Sequence, residues 1–197
     1  MIIYSTASRG QEESKYTLGL DVNILNYNLE GIYKNDINYG YSLLLMERIE
    51  KIKVGIGINY STINYSENVA YVGKIERNLG YLNFPLLIYF NNHPEKKIDI
   101  NPYIGLIANR LIKYEEVFTN PGEITTHRNR NDISARLGFS FRVGVNFARP
   151  IGKHFVLNAA PYADLKFVQS SVFVPKTDEL PDYGYAIGFK LGLDFKF

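Results

Sequence analysis

The chain of 197 residues contains no cysteine, no tryptophan, two methionines and three histidines. The missing thiols exclude disulfides, thiolate catalysis and Cys-ligated zinc. No stretch approaches the roughly 18 uninterrupted apolar residues that a membrane-crossing helix needs; the best candidate, Tyr81 to Phe90, is short and holds Asn83 and Pro85. Charge of one sign is also lacking: 22 Lys and Arg face 20 Asp and Glu, for a net charge of +2. Such a balance offers no basic stripe interleaved with stacking aromatics, so a nucleic-acid partner is not expected. The segment Met1 to Ser8 has neither the basic start nor the apolar middle of an export leader. Either the protein is not exported or a leader has been removed, and the rest of the chain must decide.

What is abundant is tyrosine (16), glycine (16) and phenylalanine (12), arranged with a period of two. Tyr16, Leu18, Leu20, Val22 and Ile24 alternate with Thr17, Gly19, Asp21 and Asn23. A strand shows this period and a helix cannot. The pattern returns over Tyr39–Met46, Ile52–Ser61, Leu82–Phe90, Ile98–Leu106, Ile133–Phe147, Phe155–Phe167 and Tyr183–Phe197, giving eight strands. Pro85, Pro102 and Pro161 interrupt three of them, and bulges are expected there because proline donates no ladder hydrogen bond. Short connections (Glu47 to Lys51, Asn91 to Lys97, Ala148 to Lys153) alternate with long ones (Tyr27 to Asp36, Thr62 to Asn78, Ile112 to Asp132, Val168 to Asp182). The fold class is therefore all-β, an eight-stranded antiparallel up-and-down barrel over residues 15–197 behind an N-terminal segment of 1–14.

Two barrels fit this alternation. In a soluble, lipocalin-like ligand-binding barrel the apolar faces point inward; in a transmembrane barrel they face lipid. None of the apolar-face residues is charged. The opposite face holds ten of the 16 glycines together with acids and bases of both signs, which suits a cramped interior better than a water-facing surface. The second barrel is preferred. Its lumen would carry a polar network of Asp21, Lys53, Asp99, Arg136, Arg142, Asp164, Lys166, Lys190 and Asp194, plugging the space that eight strands leave. Aromatic residues fall at both strand ends, as girdles do at two membrane–water interfaces. Tyr16, Phe90, Phe147, Phe155, Phe195 and Phe197 lie at the short-turn end; Tyr39, Tyr41, Tyr60, Phe167, Tyr183 and Tyr185 lie at the long-loop end. With both termini in the periplasm, the four long loops stand outside the cell.

Gly80-Tyr-Leu-Asn-Phe-Pro-Leu-Leu-Ile-Tyr89, Pro102-Tyr-Ile-Gly105 and Gly188-Phe-Lys-Leu-Gly-Leu-Asp-Phe195 resemble strands of the outer-membrane β-barrel domain family common in Bacteroidetes, the PorT-like group, at an OmpX-like size. An acidic residue is frequent in that family where Asn83 stands here. The terminal Phe197 resembles the assembly signal of bacterial outer-membrane barrels. The resemblance implies an outer-membrane location, insertion by the barrel assembly machinery and an envelope protein partner, but no single chemistry.

Catalytic and metal signals are weak. His93 reads as a turn residue and His154 as interfacial. His127 with Ser134, or with Ser170 and Ser171, and Glu115 or Glu116 sketches a hydrolase at the rim, without supporting spacing. Asp178, Glu179 and Asp182 read as a solvated acidic loop before a calcium site. No cofactor is expected. Near the long-loop rim, Arg110, Lys113, Arg128 and Arg130 are placed to meet lipopolysaccharide phosphates, which arginine binds bidentately. A plugged structural or partner-binding barrel is the leading expectation, ahead of a narrow small-solute channel and a rim enzyme acting on lipid.

Overall fold

The computed structural model describes residues 15–29, 34–35, 37–69, 73–90, 98–119, 125–129, 137–170 and 184–197. Among these residues ten strands are formed: β1 (Tyr16–Leu29), β2 (Lys34–Asn35), β3 (Asn38–Ile49), β4 (Ile52–Val69), β5 (Gly73–Phe90), β6 (Asp99–Thr119), β7 (Thr125–Asn129), β8 (Leu137–Ile151), β9 (Phe155–Ser170) and β10 (Gly184–Lys196). Eight of them close a circuit of antiparallel pairs, β1–β3–β4–β5–β6–β8–β9–β10 and back to β1. Closure leaves no sheet edge among these eight, which is the condition for placing a sheet in hydrocarbon. The two extra strands are short and flank the circuit: β2 pairs β4 and β7 pairs β6.

The orientation of the faces is settled by exposure. Leu20, Ile56, Phe139 and Leu191 are 58%, 56%, 55% and 49% exposed, so the apolar set points outward on every side of the barrel. Thr17, Asp21, Asn23, Asn59, Asn101, Ser140, Asn158, Lys190 and Asp194 are buried inside.

The connections differ from expectation in a consistent way. The turn expected at Glu47 to Lys51 shrinks to Glu50 and Lys51, with Ile49 paired to Ile52. The turn expected at Ala148 to Lys153 becomes Gly152 to His154, with Ile151 paired to Phe155. More significantly, most of the segments read as long loops at 62–78 and 112–132 are strand. Val69 pairs Gly73, Lys74 pairs Thr119, and Thr119 pairs Thr125, so two hairpins rise past the long-loop girdle.

The reason is a reversal of polarity along the same strands. Below Tyr60, β4 turns Val54, Ile56 and Ile58 outward and Asn59 inward; above it, Ile63 and Tyr65 are buried and Thr62, Asn64 and Ser66 face outward. In β5, Ile75 and Leu79 are buried while Lys74 and Glu76 are exposed, the inverse of Phe84 and Leu86 nearer the turn. Hydrocarbon demands an apolar exterior; beyond it, water restores the ordinary rule of apolar inside.

The bulges do not fall at the prolines. Register shifts between Gly80 and Tyr81, where Ile112 is the extra residue, and between Gly138 and Phe139, where Val168 is. The prolines instead each cost one side of a ladder while register holds. Pairing lapses opposite Pro85 between Ile56↔Leu86 and Asn59↔Asn83, and opposite Pro161 between Gly144↔Tyr162 and Phe147↔Ala159. The β5–β6 ladder ends at Tyr89↔Tyr103, one residue before Pro102.

Candidate functional site

The interior is the place where chemistry-bearing side chains converge. At its middle, Arg142 on β8 stands opposite Asp164 on β9. Its Nε and Nη2 donate to the two carboxylate oxygens at 2.7 Å each, and the guanidinium lies 3.9 Å from the centre of the Tyr162 ring. Further toward the short turns, two inward positions along β10 from the Ala186 that pairs with Asp164, Lys190 Nζ is 3.3 Å from Asp21 Oδ2. It also reaches the Tyr89 hydroxyl at 3.5 Å and lies near the rings of Tyr89 and Tyr103. Ser42 Oγ donates to the same Asp21 oxygen and accepts from Asn23 Nδ2. Hydrogen bonds from side-chain amides fill other parts of the interior: Asn83 Nδ2 donates to Asn59 Oδ1 and Ser61 Oγ, and Asn109 Nδ2 donates to Ser140 Oγ. Charge buried at low dielectric persists only when paired in this way.

The tyrosines among these groups need floor space, and glycine supplies it. Tyr103 pairs across the wall with Gly144, and Tyr162 with Gly188. A Cβ at Gly144 would meet the Tyr103 ring at 2.6 Å, and one at Gly188 would meet the Tyr162 ring at 2.3 Å. Each ring therefore lies flat over a bare stretch of neighbouring backbone, covering it.

At the short-turn mouth, Lys53, Asp99, Asn101, Asn146, Asn158, Lys190, Asp194 and Lys196 share a cavity of about 20 Å³, room for roughly one water molecule. A second cavity of about 10 Å³ lies between Ser42, Asn83, Pro85 and Tyr103.

Of the residues expected in the lumen, Asp21, Arg142, Asp164, Lys190 and Asp194 are buried inside, and Lys53 and Asp99 line the mouth. The fold joins Asp21 to Lys190 and Arg142 to Asp164. Arg136 lies outside the described residues; Lys166 lies in β9, with its side chain outside them. The sequence reading missed the ion pair of Arg77 and Glu116, directly opposed on β5 and β6 at 2.8 Å and buried. It sits in the hairpins beyond the girdle, close to the Tyr65 ring. Burial opposes the Arg77 charge, but Tyr65 and Glu116 outweigh that cost and hold its pKa above the ordinary value. The readable signal was an acid and a base at inward positions once the polarity reversal is allowed for. The inward asparagines were also passed over.

On the outer surface, Tyr16, Phe90, Phe147, Phe155, Phe195 and Phe197 are exposed at the short-turn end. Several form a row, with ring centroids 6.1 Å apart for Tyr16–Phe197 and for Phe195–Phe197, and 5.4 Å for Phe155–Phe195. His154 stacks on Phe195. At the other end Tyr39, Tyr41 and Tyr185 are exposed and Tyr60 is half-buried. Phe167 is in β9 with its side chain outside the described residues, and Tyr183 lies outside them altogether. Arg110 and Lys113 are exposed on β6, Lys113 pairing with Glu115 at 2.9 Å. Arg128 belongs to β7 by its backbone, and Arg130 lies outside the described residues.

For the rim hydrolase sketch, Glu115 and Glu116 are already held by Lys113 and Arg77. His127 and Ser170 are described by backbone alone, and Ser134 and Ser171 lie outside the described residues, as do His93 and the acidic loop at 176–182. Among the described residues, no group of three or more acidic or histidine side chains is placed to hold a metal.

No protein-family model and no curated protein matches the chain. Solved structures do. Neisserial surface protein A aligns with a TM-score of 0.54 at 10% identity, over 93% of this chain and 98% of that one. A major outer membrane protein from Thermus thermophilus aligns at 0.53 and 12% identity, over 92% and 99%. Ail, the attachment invasion locus protein of Yersinia pestis, aligns at 0.50 and 14% identity, over 94% and 99%. These are small eight-stranded outer-membrane β-barrels, and the closed circuit, the apolar exterior and the paired polar interior give this chain the same fold.

Proposed function

We propose that the protein resides in a bacterial outer membrane as a barrel with a plugged lumen, serving as a structural or partner-binding envelope protein through the hairpins beyond its long-loop girdle. The observation that carries this reading is the paired interior. Arg142–Asp164 and Lys190–Asp21 each join neighbouring strands, Lys190 also reaches the Tyr89 hydroxyl on the far wall, and buried tyrosines and leucines fill the interior with them. Eight strands leave little room around such groups.

The short-turn end, with both termini, would face the periplasm. The two aromatic rows would sit at the membrane–water interfaces, and insertion would use the barrel assembly machinery. The motifs around Gly80–Tyr89 and Gly188–Phe195 favour the PorT-like group and, with it, an envelope assembly or secretion complex as partner. Outward-facing Arg110 and Lys113, joined by Arg128 and Arg130, suit lipopolysaccharide phosphates. Ail has been solved with the heparin analogue sucrose octasulfate; an anionic sugar at the exposed end is in keeping with that chemistry.

The test is direct. Purified protein should shift in gel mobility on boiling, and planar-bilayer recordings should stay silent. Steady conductance would replace the plug with a small-solute conduit. Crosslinking from position 64 or 76 in native envelopes should capture a specific neighbour; finding only lipopolysaccharide would leave the partner reading without support.

A further inference from the structure

Near the short turns the outward strand positions are apolar with two exceptions among the described residues, Glu47 and Arg149, and the fold treats them differently. Glu47 on β3 is answered by Lys15 at 3.0 Å. Arg149 on β8 has no such answer. It continues the outward series of Val143, Val145 and Phe147, with its neighbour Ala148 buried inside and Ile151 exposed beyond it. Leu157 stands directly opposite it on β9. On the other side, Ile98 follows one step beyond the Asp99↔Ala148 pair. Phe147, Ile151, Leu157 and Ile98 are all between 39% and 51% exposed, so the arginine rises from an apolar outer surface within the short-turn girdle. Lys153, in the turn of the same hairpin, is exposed as well. Neither base enters an ion pair among the described residues.

We propose that Arg149 and Lys153 hold the phosphate of an acidic glycerophospholipid, of the phosphatidylglycerol type, whose acyl chains lie along Phe147 and Leu157. An arginine at the edge of hydrocarbon keeps its stem on apolar surface and sends its head to the polar layer. There its planar donors match phosphate oxygens in pairs, and an ammonium adds a second positive charge. A choline or ethanolamine headgroup brings a cation of its own. The outward positions of β6, β8 and β9 near this turn offer it no acid among the described residues, while the two bases repel it. Free phosphate would leave the apolar surround unused. The inference goes beyond the proposed function and needs only the lipid-facing barrel; the inner leaflet as the source of the lipid rests on the orientation given there.

The chain has no tryptophan, so Leu157→Trp supplies a single reporter opposite Arg149. The full chain carrying it is folded into phosphatidylcholine vesicles, with the boiling-dependent gel shift as the check on folding. Brominated phosphatidylglycerol and brominated phosphatidylcholine are then compared as quenchers of the indole. Phosphatidylglycerol should be preferred at least about fivefold at position 157. Arg149→Gln should lower that preference by at least about threefold, and Arg149→Gln with Lys153→Gln should abolish it, the gel shift being kept in both. A reporter at Leu45→Trp, near the self-neutralised Glu47–Lys15 pair, should show no preference. Equal quenching by the two lipids at position 157, a preference untouched by Arg149→Gln, or the same preference at position 45 would each overturn the proposal. So would loss of the preference when glycerol phosphate is added to the buffer, because the site would then take phosphate without its lipid. Failure of the gel shift in the unsubstituted chain would count against the barrel reading instead.

Discussion

Arg142 and Asp164 face each other in register on neighbouring strands and close a two-point ion pair, both bonds 2.7 Å, inside the barrel wall. Removing one partner leaves the other charge buried without compensation, which costs about 3–5 kcal/mol. Asp164→Asn should therefore lower the unfolding free energy by roughly that amount, read by urea titration in lipid vesicles. The double change Arg142→Met with Asp164→Leu should recover most of the loss, because it removes the desolvated charges together.

The seat of Tyr162 gives a second prediction. Gly188→Ala places a methyl 2.3 to 2.7 Å from the ring atoms, so the ring or the strand must move. Overpacking of this kind costs about 1–3 kcal/mol. In a Tyr162→Leu background, where the ring is gone, Gly188→Ala should cost clearly less. Equal cost in both backgrounds would show that the glycine serves something other than the tyrosine.

A third prediction separates the two parts of the barrel wall. Leu20 and Asn64 both face outward. Leu20→Arg puts a guanidinium on the hydrocarbon belt and should cost about 2–4 kcal/mol. Asn64→Arg, on the hairpin past Tyr60, should be close to neutral. Ile63→Asn, one residue away and 2% exposed, should cost about 2–4 kcal/mol through lost apolar burial and an unsatisfied amide. Vesicle unfolding of the three variants checks the reversal at single-residue spacing.

The two-residue turn between β3 and β4 holds Glu50 at φ +53°. A side chain in that region costs about 1–2 kcal/mol and glycine is free of it, offset in part by the larger unfolded-state entropy of glycine. Glu50→Gly should stabilise by about 0.5 kcal/mol. The Glu50 carbonyl that accepts from Arg48 Nε is retained. A fall in the urea midpoint would contradict this.

Within the apolar belt, the sequence was nearly sufficient. The alternation of Tyr16 to Ile24, or of Leu82 to Phe90, assigns each side chain to the correct face, because lipid tolerates no slip in an outward position. Beyond Tyr60 the same reasoning stopped too early. Ile63 and Tyr65 keep the period of two but change phase, and a phase change reads as the end of a strand when the outside is assumed to stay apolar. In β6 the extra residue Ile112 shifts the phase a second way, so Tyr114 and Glu116 turn inward. The Arg77–Glu116 pair was hidden for the same reason. The prolines misled because a missing donor was equated with a bulge, whereas the ladder simply skips a bond and keeps its register.

The change of wall chemistry at Tyr60 has a mechanical consequence. Sliding the molecule outward would strip lipid from Ile58, and sinking it would draw Asn64 and Glu76 into oil. Its draught is thus set by its own side chains, like the load line on a hull. Whatever the hairpins touch is consequently met at one fixed height above the bilayer.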